Sequence, residues 1–174
     1  MPGWSIRRNG LQSRSLPIVL GRLRAALPGV LSLLPEADRP DNQQEYRNLA
    51  FTELSRRLAD RAQVPLLVSN VNATMSLAGA QDKIGLRFDK KTKRLSDSVG
   101  HSPTTHVLKP DTRQLRYQPS AINEYACMKL ASALKLPVPD VWLLRVPEAS
   151  YVVQRYDRES IAGNIVGLHQ IDGN

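Results

Sequence analysis

The residues of this chain whose types and spacing can do chemistry begin with the run Ser76-Leu77-Ala78-Gly79-Ala80-Gln81-Asp82-Lys83. Small side chains let backbone N–H groups approach an anion closely, which is what a loop covering phosphates requires. The run carries one glycine where nucleotide loops often have three, so taken alone it reads by default as a tight structural turn. Lys109 lies 30 positions after Gly79, at the end of the β-like run Thr105 to Lys109. Glu124 then falls in the first turn, or just past it, of a helix that begins at Ser120. In this order a loop, a lysine and a carboxylate can cover a phosphate, bind it and orient the group that binds it. Taken singly, Lys109 is an edge-strand lysine facing water and Glu124 a helix-start carboxylate favoured by the macrodipole.

Several elements must position these groups. Asp41 or Asn42 can cap a helix whose apolar positions Tyr46, Leu49, Ala50, Leu54 and Leu58 follow helical spacing, leaving Glu53, Arg56, Arg57 and Arg61 for solvent. Pro65 stops it, and Leu66 to Val68 with Val71 can form a short strand before the loop that starts at Asn72. Ile84, Leu86 and Phe88 then alternate with Lys83, Gly85 and Arg87, the pattern of a strand with one buried face. Asp89 to Arg94 is the solvated tip of a hairpin, with phosphate binding by its basic cluster as the smaller reading. From Ser120, suitable as a cap, a second helix places Ile122, Tyr125, Ala126, Leu130 and Leu134 on one side until Pro137 and Pro139 end it. Val141 to Val146 and Tyr151 to Tyr156 form a hairpin around the four-residue loop Pro147 to Ser150. The pattern predicts an α+β fold, an antiparallel sheet with a packed helix, preceded by a mainly helical or irregular amino-terminal segment over residues 1–70.

Composition narrows the class. Lys plus Arg number 24 against 16 Asp plus Glu in 174 residues, a formal charge of +8 that suits an anionic partner without naming one. No apolar run is long enough to span a membrane, which predicts a soluble protein. The single cysteine, Cys127, excludes an internal disulfide framework and a Cys-based zinc site, suits a reducing cytosol, and reads as a small buried hydrophobe. The basic leader with Arg7, Arg8, Arg14, Arg22 and Arg24 reads as a short amphipathic helix or irregular segment, because Arg22 and Arg24 interrupt the apolar stretch an export signal needs.

Six ordered pieces carry a resemblance: Ser76 to Lys83, Pro103-Thr-Thr-His-Val-Leu-Lys109, Asn123-Glu124, Leu136-Pro-Val-Pro139, Arg155-Tyr-Asp-Arg158 and Leu168-His-Gln-Ile-Asp172. Together the chain resembles the HipA family of bacterial serine/threonine kinases, toxins of HipBA-type toxin–antitoxin modules, over about residues 72 to 172. The resemblance implies a kinase-like small lobe over residues 71–174. Ala78, Gly79, Ala80 and Gln81, with Lys83, would form the phosphate loop and its edge, and Ser76 would be the autophosphorylated serine that silences the kinase. Lys109 would bind ATP phosphates with Glu124 as its orienting partner, and the strand ending Gln154-Arg155-Tyr156 would be the hinge against which adenine lies. Tyr156 stands where the family usually has phenylalanine, and Gln154 where glutamate is common.

The family's catalytic and metal-binding aspartates lie in a large lobe beyond the Leu-His-Gln-x-Asp piece. The expectation is therefore a cytoplasmic, nucleotide-binding portion truncated before the catalytic lobe and inactive alone, with ATP and Mg2+ as cofactors of the complete kinase. A HipB-like DNA-binding antitoxin and an aminoacyl-tRNA synthetase substrate are the partners implied. Two other classes compete. A non-catalytic module could bind a separate kinase half or an antitoxin through this small-lobe surface. Direct nucleic-acid binding has the charge in its favour, but the basic residues are dispersed among only nine aromatics and no recognition motif stands out.

Overall fold

In the computed structural model the described residues are 44–64, 66, 81–100 and 102–168. Glu45–Leu49 (β1) leads at once into the helix Phe51–Asp60 (α1), followed by Ile84–Phe88 (β2), Leu95–Val99 (β3) and His106–Pro110 (β4). A 3-10 turn at Leu115–Tyr117 precedes the helix Ser120–Ala133 (α2), then Val141–Arg145 (β5) and Ala149–Gln154 (β6). The hairpin Arg158–Ile161 (β7) and Asn164–Gly167 (β8) follows. Among the described residues, six strands form one sheet in the order β1-β3-β2-β4-β6-β5, every neighbour antiparallel, and β7 pairs with β8 in a second, two-stranded sheet. The fold is α+β.

Alternation along the strands builds two cores, one on each side of the sheet. Ile84, Leu86, Phe88, Leu95, Leu108 and Val152 are buried with Leu54 and Leu58 of α1 and with Leu66. On the other side Tyr151 and Ala149 pack with Ala121 of α2, while Ile122, Tyr125 and Met128 close over Val141, Leu143 and Val153. The expected single helix on one face is thus α2, and α1 covers the opposite face.

Several sequence expectations are corrected. The amino-terminal helix does not run from Asp41 or Asn42: Tyr46 and Leu49 belong to β1, whose register pairs Tyr46 with Ser98 and Leu49 with Leu95. Strand pairing overrides the helical spacing here, because β1 satisfies the open edge of β3. Arg57, assigned to solvent, is 3% exposed and its guanidinium grips Asp97 of β3, 1% exposed, through bonds of 3.1 and 2.8 Å. Glu53 accepts from Arg57 Nε at 2.9 Å, so the pair is saturated where burial of a lone charge would be costly. The proposed strand at Leu66 is instead a helical residue with a buried side chain, and residues 67–71 lie outside the described residues.

Ser120 does not cap α2 by its own hydroxyl; Asp111 Oδ1 accepts the Ala121 N–H at 2.7 Å and Ser120 Oγ donates to the same carboxylate. The helix ends before Pro137, at Ala133, with Leu134 as its C-cap. Lys135 takes φ 63°, and the N–H groups of Lys135 and Leu136 return to the carbonyls of Ser132 and Ala131, a Schellman closure. Leu130 and Leu134 are 62% and 65% exposed rather than buried, and Cys127 is exposed too, because the sheet takes only the Ala121, Tyr125 and Met128 side of α2. The β5–β6 turn is shorter than expected, closed by Val146 N–H to Glu148 O, so Ala149 and Ser150 already belong to β6. The hairpin β7–β8 had no counterpart in the sequence reading.

Candidate functional site

The site rests on β4, the strand between β2 and β6. His106, Leu108 and Pro110 of β4 are buried on the α1 side, so Val107 and Lys109 face α2. Register places Lys109 opposite Tyr151 of β6 and Ile84 opposite Leu108, which puts Lys83, one residue before Ile84, on the same face as Lys109. Lys109 is therefore neither on an edge strand nor turned to water.

Glu124, one turn into α2, meets it there. Lys109 Nζ donates to Glu124 Oε2 at 2.7 Å, and Gln81 Nε2 donates to Oε1 at 3.2 Å. Both carboxylate oxygens are thus held, one by the lysine and one from the segment leading out of the small-residue run. The Lys109 ammonium also lies 5.7 Å from the Tyr151 ring centroid. Burial lowers the Lys83 pKa below its ordinary value, the positive charge of Lys109 lowers it further, and Glu124 opposes both. Burial, reinforced by the Glu124 charge, pushes the Tyr151 phenol up to about 12, so it remains a neutral wall of the site. Lys83 and Lys109 thus place two ammonium groups on this half-buried face, with Glu124 between them and the segment from Gln81, chemistry that suits an anion.

The structure brings together Gln81, Lys83, Lys109 and Glu124. Ser76, Ala78, Gly79 and Ala80 lie outside the described residues. Gln154 sits at the far end of β6, paired with His106 and so roughly 10 Å along the strand from the Lys109–Tyr151 pair. Tyr156 is not in a strand: β6 ends at Gln154, and Tyr156 is 74% exposed in the turn that follows. That turn is pinned. Arg155 N–H donates to Thr105 O, its guanidinium holds Asp157 at 2.8 and 2.5 Å, and Arg158 reaches the same carboxylate at 2.7 Å. Burial by itself would raise the Asp157 pKa, but the hydrogen bond and charge of Arg155 and the charge of Arg158 outweigh it and hold it below the ordinary range.

Sequence reasoning missed Tyr151 as part of the site and the Arg155–Asp157–Arg158 cluster as a pin. The alternation of Tyr151 with Val152 was a readable signal for the first. The second was visible only as a run of charges. Among the described residues no group of three or more His, Cys, Asp or Glu could hold a metal ion, and no helix is long and apolar enough to cross a membrane.

An antiparallel sheet whose central lysine is ion-paired to a carboxylate on the helix packed against it is the architecture of a protein-kinase-like small lobe. Comparison with known proteins agrees. The model of the HipA-like C-terminal domain matches residues 75–174, and the chain belongs to the HipA family. It is 34% identical over 161 residues to the kinase-like protein Y4mE of Sinorhizobium fredii, covering 88% of this chain and 37% of that protein. It is 26% identical over 148 residues to the serine/threonine-protein kinase toxin HipA of Shewanella oneidensis, covering 83% of this chain and 32% of that protein. A chain in the solved complex of the Shewanella oneidensis MR-1 toxin–antitoxin system, HipA, HipB and operator DNA, superposes with a TM-score of 0.66 at 23% identity, covering 91% of this chain and 36% of that one. The chain thus spans about a third of the length of the relatives it matches.

Proposed function

We propose that this chain is the nucleotide-binding small lobe of a HipA-type serine/threonine kinase, with ATP as its ligand. The observation that supports this reading best is the Lys109–Glu124 pair at 2.7 Å, on the face that also carries Lys83 and Gln81. When bound, ATP with Mg2+ supplies the phosphoryl group and the metal that neutralises its charge. Lys109 holds the nucleotide phosphates, and Glu124 keeps its ammonium from swinging away. In this reading Ala78, Gly79 and Ala80 would be the residues that cover the phosphates, and the pinned segment Gln154 to Tyr156 would present backbone groups to adenine. Phosphate on Ser76 would add about −1.5 to −2 charges beside the same N–H groups and compete with the nucleotide.

Phosphoryl transfer needs a catalytic base and metal-binding carboxylates in place. In this reading they come from a large lobe, residues 1–174 by themselves transfer no phosphate, and a HipB-like antitoxin and an aminoacyl-tRNA synthetase are partners of the complete cytoplasmic kinase. The test is an NMR titration of the whole chain with Mg-ATP, read alongside phosphate incorporation. Amide shifts around Gln81, Lys83 and Lys109 are expected, with affinity reduced at least tenfold in Lys109→Met. Equal affinity in that variant would overturn nucleotide binding at this site, and robust transfer to Ser76 would overturn the claim of inactivity.

A second reading has one observation in its favour. Leu130, Leu134 and Leu136 are 62%, 65% and 55% exposed at the carboxyl end of α2 and just beyond it, an apolar strip suited to a protein partner. Co-purification of a neighbouring protein that is lost in Leu130→Asp, with no ATP binding, would favour an interaction module over a nucleotide site.

A further inference from the structure

A cleft of about 490 Å³ opens at the opposite end of β4 from Lys109, between the β2–β3 hairpin, Thr105 and His106, and Gln154. Its volume lies within the range of small-molecule sites. Four cations line it, Arg87, Lys90, Lys91 and Arg94, against the single carboxylate of Asp89. Asp89 is occupied by its own turn, accepting the N–H groups of Lys91 and Thr92 at 2.8 and 3.2 Å.

The cations differ in how they are engaged. Arg87 stacks on the Tyr46 ring at 4.5 Å, which fixes one wall, and Lys90 lies 3.5 Å from Asp140. Among the described residues no ion pair or hydrogen bond engages the guanidinium of Arg94. A guanidinium is the group best shaped to grip phosphate oxygens two at a time. His106 also borders the cleft; it is 7% exposed, and its Nε2 is buried without a hydrogen-bond partner, while Nδ1 lies 2.7 Å from Thr105 Oγ1. When that hydroxyl donates to Nδ1, the neutral ring carries its proton on Nε2, a buried donor lacking an acceptor.

We propose that this cleft is a second anion site, taking a small phosphorylated molecule whose phosphate is held by Arg94 and Lys91. It does not rest on the nucleotide reading above: Gln154 borders both this cleft and the segment assigned to adenine, but the phosphate contacts here, Arg94 and Lys91, are separate from Lys109 and Glu124. Local charge draws the anion to the hairpin, and the walls that Tyr46, Thr105 and His106 add distinguish this open cleft from a turn of lysines standing alone.

Inorganic pyrophosphate is the probe, titrated at constant ionic strength into the 15N-labelled full chain. Saturable shifts are expected in the amides of Asp89 to Arg94 and of Thr105 and His106, together with a change in the His106 ring-nitrogen signals. The double variant Lys91→Glu with Arg94→Glu, both on an exposed turn, should weaken binding at least tenfold while its circular dichroism stays native. Lys109→Met should leave pyrophosphate affinity within about twofold. Linear, non-saturating shifts, or binding lost in Lys109→Met and kept in the double variant, would overturn the proposal. Loss of Lys109-dependent ATP binding with pyrophosphate binding intact would sink the nucleotide reading alone.

Discussion

His106 shows how one side chain's chemistry follows from its strand. Burial lowers its pKa to about 4, with the charge of Asp140 opposing and that of Lys90 reinforcing the shift. The ring packs edge-on against Phe88 and Trp142, at centroid distances of 5.4 and 5.3 Å. A histidine whose folded pKa lies below its unfolded value binds fewer protons when folded, so stability rises with pH between the two values. The sign therefore runs against acid: stability due to His106 is complete above about 6.5, falls as pH drops toward about 4, and changes no further below that. Urea midpoints at pH 7 and pH 4.5 should differ more in the wild-type chain than in His106→Phe. Equal differences would show that His106 does not contribute. The residue was legible in the sequence only as part of a β-like run; nothing in that run announces which His is buried against two aromatic rings.

The two helices share the sheet but not a rule. α1 is anchored by Leu54 and Leu58, both essentially without exposure, and by the Arg57–Asp97 pair. α2 is held by Ala121, Tyr125 and Met128, leaving Leu130 outside. Leu54→Ala should cost about 2–5 kcal/mol, the usual range for a truncated core leucine. Leu130→Ala should change stability by less than about 0.5 kcal/mol, as at other exposed positions. Chemical denaturation of the two variants checks both, and a comparable loss in each would mean that α2 is covered in solution. Helical spacing found the part of α1 that carries Leu54 and Leu58, but started that helix too early, and Ser120 was read correctly as the start of α2. It could not say which apolar face the sheet would take, because α2 is apolar on more than one side and periodicity alone does not choose.

At the scale of the molecule, the six-stranded sheet and the β7–β8 hairpin are two bodies of unequal security. An isolated two-stranded hairpin is marginal in water. β7–β8 is tied back by Gln44, whose Nε2 donates to Ile165 O at 2.7 Å and whose Oε1 accepts the Ile165 N–H at 2.9 Å, and by Leu168 N–H to Asp157 O at 2.9 Å. Gln44→Ala should speed amide exchange in β7 and β8 while leaving protection in β2, β4 and β6 unchanged. Uniform loss of protection would show that the hairpin and the sheet open together. This tie joins residues 121 positions apart, and no local pattern in the chain foretells it.

What the sequence by itself determined was local: the alternation of Ile84, Leu86 and Phe88, the helical spacing of Leu54 with Leu58 and of Ile122 with Tyr125, the hairpin tip at Asp89 to Arg94, and the family signature carried by Ser76 to Lys83, Lys109 and Glu124. These are readable because period 2 and period 3.6 are set by backbone geometry and need no distant partner. Tertiary structure decided that Tyr46 and Leu49 join the sheet rather than a helix, that Arg57 is buried, and that Tyr156 is exposed. It also brought Glu124 within 2.7 Å of Lys109. Each of these depends on strand order and register, which pair residues far apart in the chain, and a linear pattern carries no term for the groups that will stand opposite it.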